Sequence, residues 1–322
     1  MPPPLRRSLL LLVTVLALVL ASAAAAGNGG IAPPDPASPG AAHIRDIYWL
    51  ILGITGGIFV LVEGALVLFM IKYRSRGRPR EVEGPQLRGH TNLELAWTAG
   101  PVVLLAIIAG FVFYKVSSIQ ASSSAPAEQI RVEGHQFYWE FVYPDGTIAV
   151  DHLRLPYNRL VRLKIVGSDV NHSWWVPALG GKLDAIPGKT NTMTFRPTKL
   201  GTFKGQCAEF CGIQHAAMIA WVDVLPQNEY DAWVAGRHSS TTALGKETFV
   251  GVCAKCHGLA GQGDIGPPIA QSRLLQDRAA LTTLLRQGIG TMPAVGKSWN
   301  DTQLNALLRY LDKRFKVGGS GG

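Results

Sequence analysis

The sequence predicts a multidomain membrane protein: a two-helix transmembrane hairpin, then a β-sandwich or barrel, then an all-α domain. Three observations predict it. Two apolar runs, 47–71 and 95–116, flank a basic loop, and each has the roughly 20 apolar residues that a spanning helix needs. Residues 128–226 alternate short apolar and polar runs between turn residues, the period of half-buried strands. From 244 onward the apolar spacing turns helical. At 322 residues the chain is also too long for one ordinary domain.

Taken in order, residues 1–26 read as a signal peptide: Arg6 and Arg7 precede the apolar run Leu9 to Leu20, and small residues follow to Ala26. The run is short for a retained spanning helix. Residues 27–42, rich in Gly, Pro and Ala, read as a flexible leader. The loop after the first spanning helix holds Lys72, Arg74, Arg76, Arg78, Arg80 and Arg88, so it faces the cytoplasm and everything after residue 120 lies on the other side. A Ser/Ala-rich break over 117–127 leads into strands such as Val161 to Val166, with turns at Pro144-Asp145-Gly146 and Gly180-Gly181. A short helix and linker follow over 228–242, then helices over 244–256, 274–288 and 301–314. Asn300 with Gln303 suits an N-terminal capping pair on the last helix. The tail 318–322 reads as disordered. The expected divisions are thus 1–26, 27–120, 121–235 and 236–322.

The formal charge of +9 is divided between the membrane-flanking loop and the C-terminal segment. That division argues against nucleic acid as a partner and for a lipid bilayer.

Four cysteines, Cys207, Cys211, Cys253 and Cys256, come as two close pairs. Two disulfides are the plain reading for an exported chain. Yet Cys207, Cys211, His215 and Met218 fall within twelve positions, and His172 lies upstream at the end of an expected strand. Soft sulfur donors with imidazole suit copper. Zinc accepts Cys2His2 as well, and the spacing alone leaves copper, zinc and a disulfide open. The thioether of Met218 favours copper.

His172, with Cys207-x-Glu209-x-Cys211-x3-His215-x2-Met218, resembles the binuclear copper site of cytochrome c oxidase subunit II. The resemblance extends over most of 47–226 and includes Gly134 to Trp139, Asn171 to Trp174 and Asp184 to Gly188. It implies a cupredoxin-like β-barrel. It further implies that the two thiolates bridge two copper ions, that His172 and His215 each cap one, that Met218 ligates one, and that Glu209 binds the other through its backbone carbonyl. The Glu209 side chain would then belong to a magnesium or manganese site shared with subunit I; a buried salt bridge is the other reading.

Cys253-Ala-Lys-Cys256-His257 is the attachment pattern of c-type haem. The thiols add to the haem and His257 becomes an axial ligand; the sixth position calls for a distant Met or His, and Met292 is the candidate. A redox dithiol would need an α/β context, whereas this one is helical. Residues 244–315 resemble class I cytochrome c. Gly245, Phe249 and Tyr310 match that family's helix-crossing contact, and Gly266-Pro267 matches the loop whose carbonyl orients the haem histidine.

Two acids fall in or beside the membrane runs. Glu63 lies inside the first, where an ionised carboxylate costs about 3 kcal/mol; it is expected to be protonated or to face a partner. Glu94 opens the second, and its setting resembles the subunit II position where protons enter a pathway of subunit I. A helix N-terminus favours an acid in any case. Phe137 and Trp139 occupy the electron-entry aromatics of the family, with Phe137 where many relatives have Trp. Either docking has moved into the chain, to the fused haem domain, or the change is neutral.

The resemblance as a whole implies subunit II of a caa-type haem-copper oxidase with a fused cytochrome c domain. Electrons would pass from a cytochrome c or another donor to haem c, to the copper pair, and to haem in subunit I, where O2 is reduced with proton translocation. No residue here is then catalytic in the bond-making sense. Subunit III is a further expected partner, and the expected location is the bacterial inner membrane with both soluble domains periplasmic. The rival readings are the copper-bearing small subunit of a nitric oxide reductase and a non-enzymatic membrane copper–haem carrier.

Overall fold

In the computed structural model, residues 32–74, 86, 88–119, 127–239 and 241–315 are described. The expected signal peptide, the middle of the basic loop with Arg76, Arg78 and Arg80, most of the Ser/Ala-rich break, and the tail lie outside the described residues.

The described chain divides into two compact units, one containing 43–119 and the other 34–42 with 127–315. The first holds helix α1, Pro39–Lys72, and helix α2, Thr91–Ile119. Both are long and apolar enough to cross a membrane. Each is longer than the apolar run that predicted it, because hydropathy marks only the part that would meet lipid. Glu63 is exposed on α1.

The second unit begins with part of the expected flexible leader, and here the expectation fails for 34–42. Ala37 is fully buried, its N–H donates to Ala178 O (2.7 Å), and its carbonyl accepts from Thr198 N–H (2.7 Å). Ser38 Oγ donates to Leu179 O (2.7 Å) and accepts from Ala41 N–H (3.1 Å) as α1 starts. Small residues permit this close seat, so a composition that suggested freedom serves packing instead.

Ten strands follow: β1 Glu128–His135, β2 Tyr138–Val142, β3 Ile148–Val150, β4 His152–Pro156, β5 Val161–Gly167, β6 His172–Trp175, β7 Leu183–Ala185, β8 Asn191–Phe195, β9 Gly201–Cys207 and β10 Ile219–Leu225. They form two five-stranded sheets, ordered β3-β2-β1-β5-β8 and β4-β10-β9-β6-β7, the sandwich that the alternation predicts. Along β5, Val161, Leu163 and Ile165 are buried while Lys164 is exposed, as a period of two requires. Trp174 fills the space between the sheets edge-on to Trp139 (5.1 Å) and Phe141 (5.6 Å).

Helix α3, Gln227–Ser239, leads to α4, Thr241–Thr248, a π-helical turn Phe249–Cys253, the short α5, Ala254–His257, then α6, Arg278–Gln287, and α7, Asp301–Phe315. The expected helix over 274–288 is in fact a 3-10 turn, Arg273–Gln276, followed by α6. Asp277 separates them because its carboxylate accepts from Ala279 and Ala280 N–H (3.0 and 2.9 Å) and caps a new helix. Asn300 does cap α7, accepting from Gln303 N–H (2.9 Å). The reciprocal half of the pair is missing, since the Gln303 amide donates to Glu140 of β2 (2.8 Å). Helices α4 and α7 cross at Gly245, where a Cβ would stand 2.2 Å from Ala306 O. Phe249 and Tyr310 pack beside the crossing (5.5 Å). Tyr138 and Val150 of the sandwich are buried in the same core as Phe249, Trp299 and Leu307, so the helical domain and the sandwich are packed together.

Candidate functional site

Strand β9 delivers Cys207 at its end, and the chain returns to β10 immediately after Met218. Cys207 N–H closes this loop by donating to Met218 O (3.0 Å). His172 opens β6, the neighbour of β9, rather than ending a strand as the sequence suggested. The donors converge. Cys207 Sγ lies 3.9 Å from Cys211 Sγ, 3.9 Å from His172 Nδ1 and 3.2 Å from Glu209 O. Cys211 Sγ lies 3.6 Å from His215 Nδ1 and 3.8 Å from Met218 Sδ. All four cysteines are free thiols, so the disulfide alternative is not adopted. Cys207, Cys211, His172 and Met218 are all buried. Two sulfurs flanked on each side by an imidazole, with a thioether and a carbonyl added, fit soft metal ions, and each donor is supplied without rearrangement.

The electrostatics prepare the pair for ionisation one thiol at a time. The Cys211 thiol, then His172 and nearby backbone groups, hold the Cys207 thiol far below its usual range. A Cys207 thiolate and burial push Cys211 up. Burial depresses the His172 imidazolium, but Asp169 and Cys207 outweigh it and leave the pKa raised.

Sequence reasoning named these donors and missed the residues that surround them. Asp169 Oδ1 lies 2.7 Å from His172 Nε2 and orients the ring; the signal was an acid three residues before the histidine. Gly134 allows the same ring to lie on β1, where a Cβ would come within 2.9 Å of it. Gln136 Nε2 donates to Cys211 O (2.6 Å). Gly212, at φ +135, rests against the Phe137 ring. Phe137 is half-buried, and Trp139 is fully buried, edge-on to His172 (6.1 Å). The Glu209 side chain is half-exposed and pairs with Lys182 (3.8 Å).

The second pair sits on one helical turn. Cys253 ends the π-helical turn, and Cys256 and His257 lie on α5. Pro267 O lies 2.7 Å from His257 Nδ1, which leaves Nε2 available to an iron. Gly266 makes this approach possible, since a Cβ there would fall 3.0 Å from the imidazole. Met292 turns back through a bridge with Ile289 and packs on the same apolar cluster as Cys253. Two thiols and an oriented imidazole on one helical turn, with a thioether on the apolar cluster that Cys253 joins, fit a c-type haem. Burial pushes the Cys253 thiol up to about 12.

Glu94 stands apart in the first turn of α2. Its Oε1 accepts from His90 N–H (3.1 Å), while His90 Nδ1 accepts from Leu93 N–H (3.2 Å). This reciprocal cap accounts for an acid at the helix start, and Glu94 is exposed.

Known protein families match the chain in three regions. The family model for cytochrome c oxidase subunit II, periplasmic domain, matches residues 147–225, and that for its transmembrane domain matches 26–115. A model for cytochrome c oxidase, cbb3-type, subunit III, matches 240–311. The cytochrome c oxidase subunit 2 of Alkalihalophilus pseudofirmus is 35% identical over 249 residues, covering 73% of this chain and 72% of that protein. The probable cytochrome c oxidase subunit 2 of Rickettsia bellii is 34% identical over 226 residues, covering 63% and 82%. Among solved structures, the periplasmic domain of subunit II of cytochrome oxidase of Bradyrhizobium japonicum is 32% identical over 36% of this chain and 98% of that one, with a TM-score of 0.34.

Proposed function

The chain belongs to the cytochrome c oxidase subunit II family, and on that premise we propose that it is the electron-input subunit of a caa-type terminal oxidase. It is membrane-anchored with a periplasmic domain, carries a cytochrome c domain, and serves a haem-copper oxidase. In the finer reading, Cys253 and Cys256 attach haem c, and His257 and Met292 hold its iron. Cys207, Cys211, His172, His215, Met218 and the Glu209 carbonyl would hold two copper ions. When bound, the two groups supply one-electron carrier sites. The protein holds their ligands rigid, so that little moves when an electron arrives.

With both groups bound, electrons from a cytochrome c or similar donor would enter at the cytochrome c domain and leave through the copper-binding loop toward subunit I, which would reduce O2 as protons are translocated. Glu94 collects protons for subunit I, the Glu209 carboxylate helps hold a shared magnesium or manganese ion, and subunits I and III cover the helices in the inner membrane of a bacterium. The observation that carries this reading is the convergence of six donor groups, four of them around the Cys207–Cys211 pair. The test is a pair of spectra on the full chain, optical and paramagnetic resonance, with oxygen uptake by the complex it purifies with. One c-type haem, a mixed-valence copper pair and oxygen consumption are expected. A single isolated copper signal, or consumption of nitric oxide in place of oxygen, overturns the reading.

A further inference from the structure

Polar contacts between the helical domain and the sandwich include Arg154 with Glu247 (3.1 Å) and Gln303 with Glu140 (2.8 Å), and three more meet at Lys255, which lies between the two motif cysteines. Its ammonium pairs with Asp151 Oδ2 (2.6 Å) and donates to Phe137 O (2.9 Å). Its backbone carbonyl accepts from Gln214 Nε2 (3.4 Å), and Gln214 directly precedes His215. One residue of the attachment turn therefore holds the aromatic segment with its side chain and the copper loop with its main chain. Both partners of the ion pair are mostly buried, at 16% and 10% exposure. Asp151 is itself fixed: its Oδ1 accepts from Trp139 N–H (2.9 Å), and its own N–H donates to Trp139 O (2.8 Å). Gly251 lets the turn descend this far, since a Cβ there would come within 2.7 Å of Val150 and 3.0 Å of Asp151. Farther out, Tyr138 Oη donates to Val295 O (2.9 Å) and accepts from Trp299 Nε1 (2.9 Å).

We propose that Lys255 locks the haem domain into one fixed seat on the sandwich, and that the Gln214–Lys255 hydrogen bond is the bridge by which an electron crosses from the attachment turn to the copper loop. This rests on the electron-input reading above. The step moves one electron from reduced haem to the oxidised copper pair; no bond is made or broken and no proton is released. A domain held only by its linker must find its partner by diffusion at a millimolar-scale effective concentration, and its encounter responds to salt and viscosity. A locked domain is already in place, and a buried pair of this kind is strongly disfavoured to lose one partner.

The test injects an electron into the haem of the fully loaded chain and follows its passage to copper at several ionic strengths and glycerol concentrations. Amide hydrogen exchange over 137–151 is recorded in parallel. The parent chain is expected to transfer at a rate indifferent to salt and viscosity. Asp151→Asn keeps a residue tolerant of the left-handed backbone found there (φ +56). It is expected to make transfer depend on salt and viscosity, and to speed exchange about tenfold, the scale of one charge-assisted hydrogen bond. Gln214→Ala is expected to slow transfer severalfold with exchange unchanged. Viscosity-dependent transfer in the parent chain overturns the lock without any variant being needed. Unchanged exchange and transfer in Asp151→Asn overturn it too, and full-rate transfer in Gln214→Ala overturns the bridge. If no electron reaches copper in a chain whose two spectra are both present, it is the electron-input reading that fails.

Discussion

The two cysteine pairs are opposite solutions to holding a redox group. Cys207 and Cys211 stand at the end of a strand and in its following loop, and the other donors come from the same sandwich and already point inward. Their surroundings favour a thiolate at Cys207. Cys253 sits in an apolar core that keeps its thiol protonated, and its partners Cys256, His257 and Met292 come from a helical turn and a distant hairpin. The first cluster is assembled by strand register, which brings its donors together directly. The second is spread over a helical turn and a distant bridge, with Cys253 and Met292 packed on one apolar core. On the reading proposed above, the first would hold copper through donors set by the sheet, and the second would hold haem through covalent attachment within that core.

The largest effects should separate the two sites completely. Cys207→Ser is expected to abolish the mixed-valence copper signal and leave covalent haem at full stoichiometry, whereas Cys256→Ala does the reverse; metal analysis and acid extraction of haem read both. Loss of both groups in either variant would break the comparison. Next in size are packing changes. Gly245→Val drives a side chain into Ala306 O and is expected to cost the haem domain about 3 kcal/mol. Leu163→Ala, in the sandwich core, is expected to cost about 3 kcal/mol and to loosen the copper spectrum first. Thermal unfolding followed at the haem and copper bands tells them apart. Asp277→Ala removes the cap of α6 and is expected to lower stability by about 1 kcal/mol, with the copper band unmoved.

The smallest effect concerns pH. Glu140 is buried, and desolvation raises its pKa despite His135 and the Gln303 amide. A raised carboxyl contributes stability that is complete below the unfolded-state pKa, about 4.3, and is lost as pH rises through the folded value. Glu140→Gln is therefore expected to flatten the pH dependence of unfolding above that point and to be the more stable chain at neutral pH; a profile parallel to the parent's would contradict this.

The elements and the candidate donors were legible because each carries a local signal: apolar runs for α1 and α2, alternation for the strands, and fixed spacings for the two cysteine motifs. Gly245 and Gly266-Pro267 were legible through the resemblance. What escaped was non-local. Ala37 is buried only because Ala178 and Thr198 come to it, and no composition rule distinguishes that from a flexible leader. Asp169 and Gly134 support His172 through sheet register. The second half of the α7 cap was misjudged because Gln303 had a better partner 163 positions away in Glu140. Lys255 carries no local signal within its motif; its contacts appear only where Asp151 and Phe137 face it.

On the seating proposed above, Gly251 sets the clearance between the attachment turn and the sheet. A methyl group there would stand within 2.7 Å of Val150 and 3.0 Å of Asp151, so Gly251→Ala obliges either the turn to rise or those side chains to give way, and the distance between the two cysteine pairs is in that sense set by the absence of one carbon atom.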